Sequence, residues 1–221
     1  MKVAVLKFPG TNGDEDVKHV VNLYGMRGEV VWYKEFKQSE WDAVVLAGGF
    51  SYADRLRAGA IASVTSAMDQ VVEAAEEGKP VLGICNGFQM LMERGLMGNG
   101  ALLHNLNNRF VCKWVKVMVV DNKTPWTLDY EPGEVVDMPV AHAEGRYFSE
   151  SEPNNVVFKY VENPNGSMWD VAGLHSPELK NVVGLMPHPE RAAEEVLAPP
   201  GRGPGGSKVW TSLRRALKHG W

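Results

Sequence analysis

The sequence has few cysteines and no long apolar segment. Only two cysteines, Cys85 and Cys112, occur among its 221 residues, which is too few for the disulfide framework of a small secreted domain. No apolar run approaches the roughly 20 residues that a membrane-spanning helix needs, and the first residues lack the pattern of a cleaved signal peptide. We therefore expect a protein of the reducing cytoplasm with no membrane partner.

The chain also lacks an excess of positive charge. Its formal net charge is −4 at pH 7, whereas nucleic-acid-binding domains carry a basic face, so we expect no nucleic-acid partner. Hydrophobic residues make up 44% of the chain and charged residues 23%, the balance of a globular protein with a sizeable core. The pattern changes near residue 108, but no linker marks a boundary there, and we expect one domain over residues 1–221.

Short apolar runs alternate with helical patterns in the first half of the chain. Apolar spacing and flanking glycines predict strands and helices in the order strand, helix, strand, strand, helix, strand, helix. The strands are expected at 3–6, 29–33, 43–46 and 81–84, and the helices at 14–24, 61–75 and 88–93. This order predicts an α/β fold with an open, mostly parallel central sheet and helices on both faces.

The second half of the chain is richer in β patterns. Candidate strands lie at 110–120, 134–140, 156–161, 171–174 and 182–186, and a last helix is expected at 207–219, capped by Ser207. We interpret these strands as a mainly antiparallel extension, either continuing the central sheet or forming a second layer of the same domain.

Cys85 lies in the stretch around which the rest of the sequence is organised. A short buried strand precedes it, a helix follows it, and Gly83 and Gly87 flank it at a spacing of two residues. This is the pattern of a nucleophile elbow, a turn too tight for side chains at the flanking positions. Backbone N–H groups at the following helix N-terminus favour a thiolate there. The alternative is a buried structural cysteine, which is a common role for this residue.

His188 and Glu190 provide a second candidate constellation, in the run Met-Pro-His-Pro-Glu-Arg. The proline after His188 restricts it to an extended backbone, and alternation then places both side chains on the same side. A carboxylate beside an imidazole can orient a catalytic base and stabilise its charged form. A solvent-exposed turn is the alternative for this run by itself, but together with Cys85 it completes a nucleophile, a base and an orienting acid.

Two glycines follow the third predicted strand and form the third candidate. Gly48 and Gly49 allow close approach of a substrate to the backbone, and ligands of such sheets bind at the carboxyl ends of strands. The N–H groups of these two glycines, together with that of Asn86 after the nucleophile, could form an oxyanion hole. An ordinary glycine turn is the alternative.

These residues resemble the class I glutamine amidotransferases, whose fold is flavodoxin-like. Other blocks of the chain are similar to one branch of that family, the glutaminase subunits of phosphoribosylformylglycinamidine synthases in purine biosynthesis. These blocks extend from the first strand to residue 192 and are Lys7–Asn12, Gly48–Tyr52, Leu56–Ala60, Asn107–Phe110, Ala141–Tyr147, Asn163–Ser167 and Leu185–Ala192.

The resemblance implies a catalytic triad and a substrate. Cys85, His188 and Glu190 would release ammonia from glutamine through a thioester. The backbone N–H groups of Gly49 or Phe50 and of Asn86 would bind the oxyanion, with Gly48 next to them. Gln89 occupies the position with which the family holds its substrate, whereas a helix-surface residue is the alternative. No metal and no cofactor are expected in this chain.

The resemblance also implies an assembly. The ammonia would pass to an ATP- and Mg²⁺-dependent synthetase subunit of the PurL type, accompanied by a small PurS-like subunit. A phosphate-binding loop of the Gly-x-x-x-x-Gly-Lys-Ser/Thr type does not occur in the chain. The sequence departs from the branch at Ala53, Arg55 and Ala143, which concerns contacts around glutamine and the partner rather than the triad.

Several alternatives remain open at the level of sequence. A cysteine peptidase would usually take its histidine soon after Cys85, but the nearest one is His104. A non-catalytic scaffold is a second alternative, although all three triad positions are filled. His142 and Glu144 could contribute to a metal site but lack a third ligand. The basic face of the last helix is interpreted as solvated, with partner docking as the alternative.

Overall fold

The computed structural model describes residues 1–221, which form eleven strands and five helices. The strands are β1 (Lys2–Lys7), β2 (Arg27–Trp32), β3 (Ala43–Leu46), β4 (Val81–Ile84), β5 (Ala101–His104), β6 (Val111–Val119), β7 (Val135–His142), β8 (Glu144–Phe148), β9 (Val156–Tyr160), β10 (Val171–His175) and β11 (Val182–Leu185). The helices are α1 (Asp14–Leu23), α2 (Ala60–Ser63), α3 (Ser66–Glu76), α4 (Asn86–Glu93) and α5 (Ser207–His219).

Nine strands form one sheet in the order β2-β1-β3-β4-β11-β10-β9-β6-β7. The first five of these pair in parallel, and every pair from β11 to β7 is antiparallel. The predicted fold class is therefore confirmed, and the antiparallel part continues the central sheet rather than forming a second layer. β5 and β8 form a separate two-stranded sheet that the sequence did not reveal.

Helices cover both faces of the parallel half. Helix α1 packs on β1 and β2, whereas α4 packs on β3, β4 and β11. Gly28 of β2 faces α1 and Gly83 of β4 faces α4, and the strand register places these two glycines on opposite faces of the sheet. The core strands around them are fully buried, as expected for parallel strands covered on both sides.

The helix predicted at 61–75 is interrupted. It is divided into α2 and α3, and Val64, expected on the buried face, lies at the break with 76% of its surface exposed. The hydroxyls of Ser63 and Thr65 each donate a 2.8 Å hydrogen bond to the carbonyl three residues earlier. Such local bonds compete with the helical pattern, which explains the break.

The last helix has its predicted bounds but not its predicted cap. Gly206 occupies the cap position, and no side chain caps the first turn. Trp210, a residue of this helix, is fully buried, although the sequence analysis did not place it on the apolar face. The other predicted bounds agree with the structure within about two residues, as is usual for element ends. None of the helices combines the length and the apolar character needed to cross a membrane.

Candidate active site

Cys85 occupies a sharp turn between β4 and α4. Its φ of +50° is unusual for a residue with a side chain, and such strain concentrates at functional sites. The flanking glycines are needed for space: a Cβ at Gly83 would lie 2.6 Å from Leu91, and one at Gly87 would lie 2.1 Å from the carbonyl oxygen of Leu46. The turn therefore has the geometry of a nucleophile elbow, with Cys85 at its tip.

His188 and Glu190 lie beside this turn because β11, which leads to them, pairs in parallel with β4. The His188 Nδ1 atom is 2.6 Å from Glu190 Oε1, and both side chains are almost completely buried. The backbone N–H of His188 donates to the carbonyl oxygen of Pro139 at 2.8 Å, which anchors the segment to β7. The structure thus brings the imidazole and the carboxylate together as the sequence suggested.

The environment of His188 favours its charged form. Burial lowers the pKa of His188, but the Glu190 carboxylate and the nearby Cys85 sulfur more than offset this and raise it to about 9. The second ring nitrogen, Nε2, is buried and makes no well-oriented hydrogen bond. Because Nδ1 is held by Glu190, Nε2 is the atom available to Cys85 and to a bound substrate.

Gly48 and Gly49 lie directly against the triad. A Cβ at Gly48 would be 2.9 Å from Cε1 of His188, so a side chain at this position would displace the imidazole. Gly49 has φ +154°, and its N–H donates no backbone hydrogen bond. The N–H of Phe50, in contrast, donates to the carbonyl oxygen of Gly10 at 2.9 Å. Of the two candidate oxyanion donors from this loop, Gly49 is therefore the free one.

Asn86 connects the elbow to the glycine loop. Its side-chain oxygen accepts a 3.1 Å hydrogen bond from the N–H of Ser51, and its amide nitrogen donates to Gln89 Oε1 at 2.8 Å. Gln89 in turn donates from Nε2 to the carbonyl oxygen of Glu144 at 2.5 Å. Gln89 is thus buried rather than on the helix surface, and the pair ties the glycine loop, α4 and β8 into one unit.

A second buried histidine lies close to the first. His142, at the end of β7, is 2% exposed. Burial and, to a lesser extent, the nearby charge of His188 lower the pKa of His142 to about 4. Its Nδ1 lies 3.1 Å from the side-chain oxygen of Asn105. With Glu144 it belongs to no group of three metal-binding side chains.

The loop after Phe50 is strained. Tyr52, Ala53, Asp54 and Leu56 all have positive φ, a conformation that costs about 1–2 kcal/mol for each residue with a Cβ. Burial and the neighbouring Glu144 carboxylate raise the pKa of Asp54 to about 6. Ala53 and Arg55, two of the three departures from the expected pattern, lie in or next to this strained loop.

Comparisons with known proteins agree with this architecture. The family of CobB/CobQ-like glutamine amidotransferase domains matches residues 1–216. The chain is 59% identical over 213 residues to the phosphoribosylformylglycinamidine synthase subunit PurQ of Pyrobaculum aerophilum, which covers 96% of this chain and 97% of that protein.

Two solved structures are also similar to this chain in fold. A chain in the structure of PurLQS from Thermotoga maritima superposes with a TM-score of 0.90 at 42% identity, covering 98% of this chain and 99% of the other. A glutamine amidotransferase from Thermotoga maritima, at 16% identity, superposes with a TM-score of 0.62 and covers 99% of this chain and 98% of the other. At that identity the second match speaks for the fold alone.

Proposed function

The chain belongs to the family of CobB/CobQ-like glutamine amidotransferase domains, and from this premise we propose that Cys85, His188 and Glu190 are its catalytic triad. The chain acts as the glutamine-hydrolysing subunit of a phosphoribosylformylglycinamidine synthase in purine biosynthesis. The observation that carries the triad assignment is the hydrogen-bonded His188–Glu190 pair beside the strained Cys85 turn.

The first half of the reaction forms a thioester. The Cys85 thiolate attacks the carboxamide carbon of glutamine, and the carbonyl oxygen becomes an oxyanion. The N–H groups of Gly49 and Asn86 are the proposed donors to that oxyanion, since the N–H of Phe50 is already engaged. His188 transfers its proton to the carboxamide nitrogen, and the C–N bond breaks. Ammonia leaves, and the γ-glutamyl group stays bound to the Cys85 sulfur as a thioester.

The second half hydrolyses the thioester. Neutral His188 takes a proton from water, the resulting hydroxide attacks the thioester carbon, and glutamate leaves as the C–S bond breaks. The imidazolium and the thiolate are thereby restored. Glu190 holds Nδ1 throughout, which fixes the ring orientation and stabilises its charged form in both steps.

The ammonia passes to partner subunits. We propose that a PurL-like synthetase subunit uses the ammonia and that a small PurS-like subunit accompanies it, as the related Thermotoga maritima assembly suggests. ATP and Mg²⁺ are used by the synthetase partner rather than by this chain. Conversion of formylglycinamide ribonucleotide to formylglycinamidine ribonucleotide consumes the ammonia there. We place this reaction in the cytoplasm, where such a biosynthetic complex meets its substrates.

Gln89 and Gly48 position other parts of the site. Gln89 holds β8 through its hydrogen bond to Glu144, and Gly48 leaves room for the His188 ring.

The test separates the two nitrogen sources. In the reconstituted complex, Cys85→Ala is expected to abolish synthesis with glutamine and to leave synthesis with added ammonium salts at the wild-type rate, because only ammonia release needs the thiol. Cys112→Ala, which removes the exposed cysteine, is the matched control and should keep both activities. Retention of glutamine use by Cys85→Ala would contradict the assignment, and loss of both activities would indicate a scaffold that the partner needs.

A further inference from the structure

The carboxyl end of β7 runs along the triad. The carbonyl oxygen of Pro139 accepts the backbone N–H of His188, and the carbonyl oxygen of Ala141 lies 3.7 Å from the Cys85 sulfur. His142 is the next residue of this strand, and its ring is close enough for His188 to influence its titration. A histidine that the triad does not use therefore follows, along β7, directly after the residue whose carbonyl oxygen faces the Cys85 sulfur.

The tautomer of His142 follows from Asn105. The Asn105 amide nitrogen donates to two carbonyl oxygens, those of Arg109 at 2.9 Å and of His142 at 2.8 Å. Its side-chain oxygen is consequently the atom that faces Nδ1 of His142, and an oxygen can only accept. Nδ1 must then carry the proton, which leaves Nε2 as a hydrogen-bond acceptor.

This acceptor has no partner. Nε2 of His142 is buried and makes no hydrogen bond, although unpaired buried polar atoms are rare and costly in folded proteins. The ring cannot easily move away, because Asn105 holds one side. On another side Gly145 is so close that a Cβ there would lie 2.5 Å from Nδ1. Within the chain, Nε2 of His142 is therefore a fixed, buried acceptor to which no protein group donates.

The two histidines are held in opposite protonation states. The pKa of His188 is raised to about 9, whereas that of His142 is lowered to about 4. Near neutral pH the site therefore contains one imidazole that gives a proton and another that stays neutral. Such separation within one site distinguishes groups with different roles in acid–base chemistry.

We propose that Nε2 of His142 accepts a hydrogen bond from the nitrogen that leaves the glutamine carboxamide. This rests on the proposed function. After His188 protonates the tetrahedral intermediate, that nitrogen carries three N–H bonds and a positive charge, so an acceptor binds it more strongly than it binds the neutral carboxamide. His142 accelerates C–N cleavage in this way. When the C–N bond breaks, its electron pair passes to the positively charged nitrogen, which departs as neutral NH₃, the form that attacks a partner's electrophile.

Two variants of His142 separate this role from a structural one. His142→Asn keeps a donor near the position of Nδ1, and with it the bond to Asn105, but removes the acceptor at Nε2. His142→Gln reaches the position of Nε2 with an oxygen but loses the bond to Asn105. We expect the kcat of glutamine hydrolysis to fall about tenfold to hundredfold in His142→Asn, with KM little changed, and to remain within about threefold of wild type in His142→Gln.

The kcat and KM of glutamine hydrolysis are measured in the complete complex. Thermal unfolding of each variant checks its folding, and ammonia-dependent synthesis checks that the partner is active. Wild type and Cys85→Ala are measured alongside, so that failure of the triad assignment is seen independently of His142. A fall in kcat confined to His142→Asn supports the proposal. Equal losses in both variants, a larger loss in His142→Gln, or a loss expressed only in KM would overturn it.

Discussion

At the scale of single residues, the site depends on the hydrogen-bonded pair formed by His188 and Glu190. Glu190 is 1% exposed, yet its closest partner is the imidazole at 2.6 Å, with the Arg191 guanidinium further away at 3.5 Å. A buried carboxylate is costly unless it is paired. The pairing therefore stabilises the charged imidazole, and altering Glu190 should change the titration of His188.

Glu190→Gln is expected to shift the pH dependence of glutamine hydrolysis. The reaction needs His188 protonated, so the wild-type rate should fall as pH rises through about 9, the raised pKa of His188. Without the carboxylate that pKa is lower, and the alkaline limb of kcat/KM should move to lower pH, with kcat reduced about 10²- to 10⁴-fold. Glu194→Gln, which alters an exposed His–Glu pair, is the control, and an unchanged alkaline limb in Glu190→Gln would contradict this role.

Gly48→Ala tests the space reserved for the imidazole. The added methyl would lie 2.9 Å from Cε1 of His188, so the ring has to shift by a few tenths of an ångström or more. Misplaced catalytic groups are costly, and we expect glutamine turnover to fall at least about tenfold while ammonia-dependent synthesis by the complex is unchanged. A variant with wild-type glutamine kinetics would show that the ring tolerates the shift.

At the scale of elements, the strand–turn–helix unit around Cys85 is the most tightly constrained part of the chain. Helix α4 crosses β3 and β4 so closely that Gly83 and Gly87 contact atoms of the opposing element. The helix places Asn86 at its first turn, where the amide side chain reaches the glycine loop. One supersecondary unit thus carries the nucleophile and one proposed oxyanion donor, and it holds the loop that carries the other.

Gly87→Ala should therefore be severely destabilising. Its Cβ would lie 2.1 Å from a backbone oxygen of β3, and backbone cannot give way as a side chain can. We expect the free energy of unfolding to fall by about 3 kcal/mol or more, measured by chemical denaturation. Gly203→Ala is the control, because a Cβ there meets nothing within 4 Å, and it should be nearly neutral. Similar stabilities of the two variants would refute the close crossing.

The sequence predicted elements well where the pattern was set by packing on the sheet. Fully apolar strands such as β3 and β4 have their predicted bounds, because burial on both faces leaves no polar residue within them. It failed where local polar bonds decided the backbone, as at the break between α2 and α3. It did not predict β5 and β8 as strands, because these segments are only four and five residues long and pair only with each other.

One part of the candidate site was predictable from the sequence, and another part was not. The spacing of glycines around Cys85 and the order His188-Pro-Glu190 carry geometric information that can be read along the chain. The availability of an N–H group is different, because Phe50 is engaged only through Gly10, a residue of another loop. The burial of His142 and the state of its ring likewise depend on Asn105, 37 positions earlier.

At the scale of the whole molecule, the C-terminal helix supports the catalytic segment from behind. Trp210 of α5 is fully buried and donates from Nε1 to the carbonyl oxygen of Pro189 at 3.4 Å. Gly206, at the start of α5, is so close to Pro189 that a Cβ would lie 2.2 Å from its oxygen. The end of the chain thus helps to fix the loop that carries His188 and Glu190.

Trp210→Ala should lower both stability and turnover. Loss of a buried tryptophan typically costs about 3–5 kcal/mol, and the catalytic loop loses its support.

Arg214→Ala, on the exposed basic face of the same helix, should stay within about 0.5 kcal/mol of wild type and keep full activity if that face is solvated. Co-purification with the synthetase distinguishes the alternative, since a docking face would lose the partner in Arg214→Ala. Thermal and chemical denaturation provide the stabilities.

The most direct test of the central claim is covalent labelling of the assembled complex with the glutamine analogue 6-diazo-5-oxo-norleucine, followed by peptide mass spectrometry. An activated nucleophile in the glutamine site predicts stoichiometric labelling of the buried Cys85, no labelling of the exposed Cys112, and protection by excess glutamine. Labelling of Cys112 instead, or of Cys85 without protection by glutamine, would contradict the account.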